Sequence, residues 1–159
     1  MSGAKRPFLD TNIIVYLMSG DVAKASKAER LIASGGVIST QVLNEFTSVA
    51  RRKLALSWAE TEEVLQALKA NLEVVPLTLA IHERAVVLAS AHDLNIYDAL
   101  IVAAALEKGC DVVVSEDMQH GQMLMGLRIE NPFFEMCGRL RSQVAGRIDV
   151  PVCRPRPPG

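Results

Sequence analysis

The feature that most restricts the fold is a set of short β-branched runs, GVIST, EVVPL and DVVVSED, none of which alternates polar with apolar residues. A strand with one wet face alternates; a strand covered on both faces does not. Longer stretches of helical character separate these runs. AKASKAERLIAS is rich in Ala, Lys and Glu and stops at Gly35-Gly36, a left-handed cap. QVLNEFTSVARRKL, capped by Ser39 or Thr40, sets Val42, Phe46, Val49, Ala50 and Lys53 along one face. SWAETEEVLQALKAN opens on Ser57 with Glu60 three residues on, a capping box. TLAIHERAVVLASAHDL starts at Thr78; NIYDALIVAAALEKG starts at Asn95 and stops at Gly109. PFLDTNIIVYLM reads as a first strand running into a turn or short helix, Pro76 ends the EVVPL strand, and LRIENPF reads as a last strand. Such alternation predicts an α/β fold, an α/β/α sandwich with a central parallel sheet flanked by helices.

At 159 residues the chain fits one ordinary domain. No apolar run reaches the length of a membrane span and no charged-then-apolar leader opens the chain, so the expectation is a cytoplasmic protein with no membrane contact. Cys110, Cys137 and Cys153 are odd in number and widely spaced, which fits neither a disulfide framework nor a zinc pair. Residues 138–159 carry five arginines against Asp149, a net +4, leaving −5 on residues 1–137 of a chain whose total is −1. The division expected is a domain over 1–137 and a flexible Arg/Pro-rich tail over 138–159. An acidic body binds a polyanion only through local basic groups or bound cations.

Asp10 closes the first apolar run, where burial of an unpaired carboxylate is costly. In open parallel sheets functional groups gather at the carboxyl ends of strands. Three more acids are placed to reach that edge: Asp117 after DVVVS, Glu45 in the second turn of the helix leaving GVIST, and Asp98 in the first turn of the helix opened by Asn95. Each also has an ordinary local role open to it: an Asx-turn for Asp10, a pairing with Asn95 for Asp98, a solvated helix position for Glu45, a cap for Asp117. Together in one cleft the four would repel each other. A hard divalent cation, Mg²⁺ or Mn²⁺, resolves that conflict through oxygen ligands, and Asn12 and Ser115 add neutral oxygens at the same edge.

LDTNIIVYL, NEF, YDALIVAAA and VVVSEDM, in that order, resemble the motifs of PIN-domain proteins, and among them the VapC-type toxins of toxin–antitoxin pairs. The resemblance covers roughly residues 7–134. It implies a parallel sheet with helices around it, Mg²⁺- or Mn²⁺-dependent cleavage of RNA, a homodimer, and an antitoxin whose basic side chain enters the acidic pocket. It carries the catalytic acids onto Asp10, Glu45, Asp98 and Asp117, with Asp10, Asp98 and Asp117 as metal ligands. Glu45 then holds a second metal or positions the attacking water. Asn12, Ser115 and Arg52 are the substrate-side candidates. Arg51, Lys53, Lys5 and Arg6 are further basic groups, each equally readable as a solvated surface charge. Glu116 competes with Asp117 for the place facing the metal, because one residue of slip out of the strand exchanges them. His82 and His92 read as surface or packing residues, His120 as a residue that can approach the site, and Trp58 and Tyr97 as packing residues. A D-x-D phosphatase is disfavoured by Asn12 at the second position, and a receiver domain by the lack of a phosphoacceptor Asp after the third strand. A catalytically silent PIN scaffold that binds RNA or protein stays open.

Overall fold

The computed structural model describes residues 6–134. The Arg/Pro-rich tail, Lys5, Cys137 and Cys153 lie outside them. The chain order is β1 (Pro7–Leu9), α1 (Thr11–Val15), a single 3-10 turn (Tyr16–Met18), α2 (Val22–Ala33), β2 (Val37–Ser39), α3 (Thr40–Arg52), α4 (Trp58–Asn71), β3 (Glu73–Val75), α5 (Leu79–His92), α6 (Ile96–Glu107), β4 (Val112–Val114), β5 (Met123–Leu124) and β6 (Leu127–Glu130). The helix starts follow local chemistry. Ser39, Ser57, Thr78 and Asn95 each accept a hydrogen bond from a first-turn amide, and Ser57 with Glu60 forms the full capping box. Asp21, which the sequence pattern did not single out, caps α2. Gly35 takes the left-handed φ of +82° just past α2. Gly36 is needed for a different reason: a Cβ there would lie 2.8 Å from the Pro7 carbonyl oxygen, where β2 starts against β1.

The sheet order is β3-β2-β1-β4-β6-β5, and every pairing is parallel except β5 with β6. This is the expected α/β architecture with one addition, the short antiparallel edge strand β5. Its turn is built on Met125 and Gly126, both at positive φ. Met-Gly is not a sequence signal for such a turn, so the hairpin was not foreseen. Strand order runs outward from β1 through β2 to β3, then returns to place β4 on the other side of β1. Right-handed crossovers therefore put α1–α4 over one face and α5–α6 over the other. Helix contacts agree: α1 and α4 both meet α3, α2 meets α4, and α5 packs along α6.

The core lies between these layers. Val37, Ile38, Val113, Leu127 and Ile129 are fully covered in the sheet, and Ile13, Ile14, Phe46 and Ala99 to Ala105 close over it from the helices. The apolarity of α6 is thus consumed by packing, and among the described residues no single helix is long and apolar enough to cross a membrane. On α3, Val42, Phe46 and Ala50 are buried as expected, but Val49 is only partly covered and Lys53 is exposed, because the helix ends there. Trp58 is 65% exposed and Tyr97 64%, so neither is the packing residue expected. Trp58 instead lies under the Arg51 guanidinium, 4.7 Å from the ring centre.

The amino edge of the sheet is charge-balanced. Glu73, at the start of β3, pairs with Arg6 and, at 2.9 Å, with Lys108. The Arg6 amide donates to Asp111 Oδ2 at 3.2 Å, and its guanidinium donates to the Lys108 carbonyl at 3.3 Å. Arg6 is thereby committed at the end of β1 opposite Asp10, roughly 13 Å away along the strand. Of the two readings open for Arg6, the structure favours a surface charge, paired away from the acids.

Candidate active site at the carboxyl edge

β1 and β4 are neighbours in space on either side of the point where strand order reverses, and their carboxyl ends form the crevice in which open α/β sheets bind ligands. Register places Leu9 opposite Val114, so the next residues, Asp10 and Ser115, emerge side by side. The Asp10 amide donates to the Val114 carbonyl at 3.0 Å and holds the two together. The Asp10 carboxylate is buried, with 6% of the residue exposed. Its Oδ1 accepts from the Thr11 amide at 2.6 Å, and its Oδ2 accepts from Ser115 Oγ at 2.6 Å and Asn12 Nδ2 at 3.1 Å. Asp10 is also the N-cap residue of α1, but its side chain accepts from the very next amide rather than from the one two residues on that an Asx-turn uses.

Asp117 is exposed and reaches the same group through Asn12 Nδ2, which donates to its Oδ2 at 3.2 Å. Glu116 turns the other way. Its Oε1 pairs with Lys24 Nζ at 2.8 Å, and its Oε2 accepts from the Tyr16 hydroxyl. Asp98, half-buried at the start of α6, is held by Asn95, whose Nδ2 donates to Asp98 Oδ2 at 2.6 Å while Asn95 Oδ1 accepts from the Asp98 amide at 2.9 Å. Glu45 has both oxygens engaged: Thr11 Oγ1 donates to Oε2 at 2.9 Å and Gln41 Nε2 to Oε1 at 2.6 Å.

The acids also act on one another electrostatically, Asp10 with Asp98 and Asp117, and Asp98 with Asp117 and Glu45. Burial pushes the Asp10 carboxyl up to about 6; bonds from Ser115 and Thr11 pull it back, and the charges of Asp98 and Asp117 add to the rise. Asp98 is also held above the ordinary carboxylate range, first by burial and then, against the Asn95 bond, by the charges of Asp117 and Glu45. Among the described residues no salt bridge reaches any of the four. All their partners are neutral donors, so the cluster has orientation without charge compensation.

The donor set is hard oxygen throughout, which suits Mg²⁺ or Mn²⁺ by chemistry. The frustrated charge on buried Asp10 is what a divalent cation would relieve. As the side chains stand, no three Asp, Glu, His or Cys groups among the described residues converge tightly enough to cage an ion. The fit is one of chemistry and charge, with Asp98 and Asp117 tethered by Asn95 and Asn12.

The remaining candidates have the following partners. Arg52 is exposed in the last turn of α3 and donates to Ser48 Oγ at 2.6 Å, about 10 Å along the helix from Glu45. His120 accepts from the Asn131 amide through Nδ1 at 3.0 Å and stacks on Phe134, with ring centres 4.4 Å apart. His82 and His92 are exposed. Thr11 and Gln41 were not foreseen as the braces of Glu45. Their one sequence signal is position: Thr11 follows Asp10, and Gln41 lies one helical turn before Glu45.

A PIN domain family model matches residues 8–123. The comparison with curated proteins returns no match. Among solved structures the chain is similar to DNA-bound VapBC from Salmonella typhimurium, with 22% identity, 80% of this chain and 98% of that chain covered, and a TM-score of 0.61. It is also similar to a toxin–antitoxin complex from Klebsiella pneumoniae, at 21% identity, 76% and 94% coverage, and a TM-score of 0.60. A third is Mycobacterium tuberculosis VapC20, described as a Sarcin-Ricin loop cleaving toxin, at 23% identity, 67% and 86% coverage, and a TM-score of 0.54. At such identities these likenesses speak for the fold. The family match runs from within β1 to the first residue of β5 and takes in all four acids of the carboxyl edge, and on that ground this chain belongs to the PIN domain family.

Proposed function

We propose that this protein is a divalent-metal-dependent endoribonuclease, the toxin of a toxin–antitoxin pair, hydrolysing RNA phosphodiester bonds at the β1–β4 crevice. The observation that carries the reading is the gathering of four acids at the carboxyl edge, held by neutral hydrogen-bond donors and with no salt bridge to any of them among the described residues. A bound Mg²⁺ or Mn²⁺ supplies acidification of water and neutralisation of phosphate charge. Asp10 and Asp98 would hold the ion, with Asp117 completing the set directly or through water. Ser115 and Asn12 were expected to face substrate; their hydrogen bonds instead fix the Asp10 and Asp117 oxygens. Glu45, braced by Thr11 and Gln41, would orient the attacking water or a second ion. Arg52, exposed at the end of α3, would contact an RNA phosphate away from the cleaved bond. The acidic body then meets RNA through bound cations rather than through its own charge.

In this reading the partners are an antitoxin that covers the cleft with a basic side chain and a second copy of the chain. We divide the chain by sequence into a nuclease domain over 1–137 and an Arg/Pro-rich tail over 138–159; cleavage and its salt dependence after deletion of 138–159 test whether the tail contacts RNA or is dispensable. The deciding experiment is RNA cleavage with Mg²⁺ or Mn²⁺, with and without EDTA, by the wild type, Asp10→Ala and Asp98→Ala, with folding checked by circular dichroism. Cleavage that stops in EDTA and in both variants supports the reading. Folded variants that cut at the wild-type rate sink it, and RNA binding without cleavage by the wild type leaves a silent scaffold in its place.

A further inference from the structure

Glu116 sits between Ser115 and Asp117 in sequence, yet its side chain leaves the acid cluster and enters a half-buried corner formed by α2 and the turn after α1. Lys24 and Glu116 are 25% and 27% exposed there. Both Glu116 oxygens are engaged, one by Lys24 Nζ and the other by the Tyr16 hydroxyl, while Lys24 Nζ also donates to that hydroxyl at 3.0 Å. The ammonium lies 4.4 Å from the Tyr16 ring centre and 5.1 Å from that of Phe133. The two rings meet edge to face at 5.0 Å. Two polar groups, themselves bonded to each other and backed by two rings, thus fix the orientation of Glu116.

The consequence passes through the backbone. The Glu116 amide donates to Asn12 Oδ1 at 3.2 Å. That contact decides which way the Asn12 amide points, because its Nδ2 must then face Asp10 at 3.1 Å, Ser115 at 3.4 Å and Asp117 at 3.2 Å. With Asn12 reversed, a carbonyl oxygen would confront two carboxylates. We infer that Lys24, Tyr16 and Glu116 form a latch between α2 and the loop after β4, and that these positioning residues act through Asn12 to aim Asp10 and Asp117. The inference rests on the proposed nuclease function for its catalytic consequence, but not for the latch itself.

The test has two arms on the full chain. In the metal-free protein, ¹H–¹⁵N spectra follow the Asn12 side-chain amide and the Asp117 backbone amide. In the loaded protein, kcat, KM for RNA and Mn²⁺ affinity are measured. Lys24→Met and Glu116→Gln are expected to move both resonances and to lower kcat or Mn²⁺ affinity by about 10- to 100-fold, the usual effect of losing a partner behind a metal ligand, with KM little changed. Lys24→Arg should restore most of the loss, and Tyr16→Phe should show a smaller loss in the same direction. Unmoved Asn12 and Asp117 resonances in Lys24→Met and Tyr16→Phe overturn the latch. So does a rise in KM at wild-type kcat, which would assign Lys24 to RNA contact. If Glu116→Gln fails to fold, Tyr16→Phe decides, since it removes a single hydroxyl. A wild type that cuts no RNA sinks the nuclease reading, and the spectra then decide the latch alone.

Discussion

The two edges of this sheet treat acidic side chains in opposite ways. At the amino edge Glu73 is shared by Arg6 and Lys108, and Asp111 accepts from the Arg6 amide. At the carboxyl edge Asp10, Glu45, Asp98 and Asp117 are met by hydroxyls and amides: Ser115, Thr11, Asn12, Gln41 and Asn95. The chain has the cations to do otherwise. Lys24 comes within one residue of Asp117 and pairs with Glu116 instead. Neutral donors fix the direction of a carboxylate while leaving its charge for something that arrives later. The amino edge is charge-balanced by ion pairs; the carboxyl edge keeps its carboxylate charge facing neutral donors.

Four experiments break or sharpen that contrast. The largest effect belongs to the unpaired acids: Asp10→Ala or Asp98→Ala should bring metal-dependent RNA cleavage to background in a folded protein. Next is a pH effect. Because the folded Asp10 value, about 6, lies above its ordinary 3.8, the folded state holds the proton more tightly than the unfolded chain. Stability should therefore fall as pH rises between about 4 and 6, with a contribution of about 3 kcal/mol fully lost above that range. Asp98 acts in the same direction. Urea titrations of metal-free protein at pH 5 and pH 7.5 measure the slope; Asp10→Asn should flatten it, and an unchanged slope would remove Asp10 as its source. Third are the neutral braces. Thr11→Val or Gln41→Met frees one Glu45 oxygen and should cost roughly tenfold in turnover, read as kcat against KM. The smallest effect is at the opposite edge. Glu73→Gln breaks ion pairs that are 40% or more exposed on Glu73 and Arg6, and should cost at most about 1 kcal/mol with cleavage unchanged. A large loss of activity there would end the distinction between the edges.

Much of this was legible in the sequence because the informative residues sit where strands end. Asp10 and Asp117 each close an apolar run, and Asn95 and Ser39 announce the helices that bring Asp98 and Glu45. What stayed hidden were partners of ordinary type far away in the chain. Thr11 meets Glu45 across 34 residues, Lys24 meets Glu116 across 92 and Tyr16 meets it across 100. Nothing local marks a lysine in an Ala-rich helix as the partner of one acid rather than its neighbour. Arg6, adjacent to the first strand in sequence, lies at the edge opposite Asp10, since a short strand carries its two ends apart. Aromatic character misled for Trp58 and Tyr97, whose rings stand exposed in the first turns of α4 and α6 while Phe8 and Phe46 take the core.

The three-residue length of β1 and β4 has a consequence for tolerance to change. Side chains along a strand face alternate sides, so adding or removing one residue inverts every position beyond it. In a strand of three residues there is no spare length in which a bulge might absorb the error. An insertion in β4 would carry Ser115 away from Asp10 and exchange Asp117 with Glu116, delivering to the crevice the acid that Lys24 holds. The parity of these two strands therefore fixes the site as firmly as the identity of the acids does.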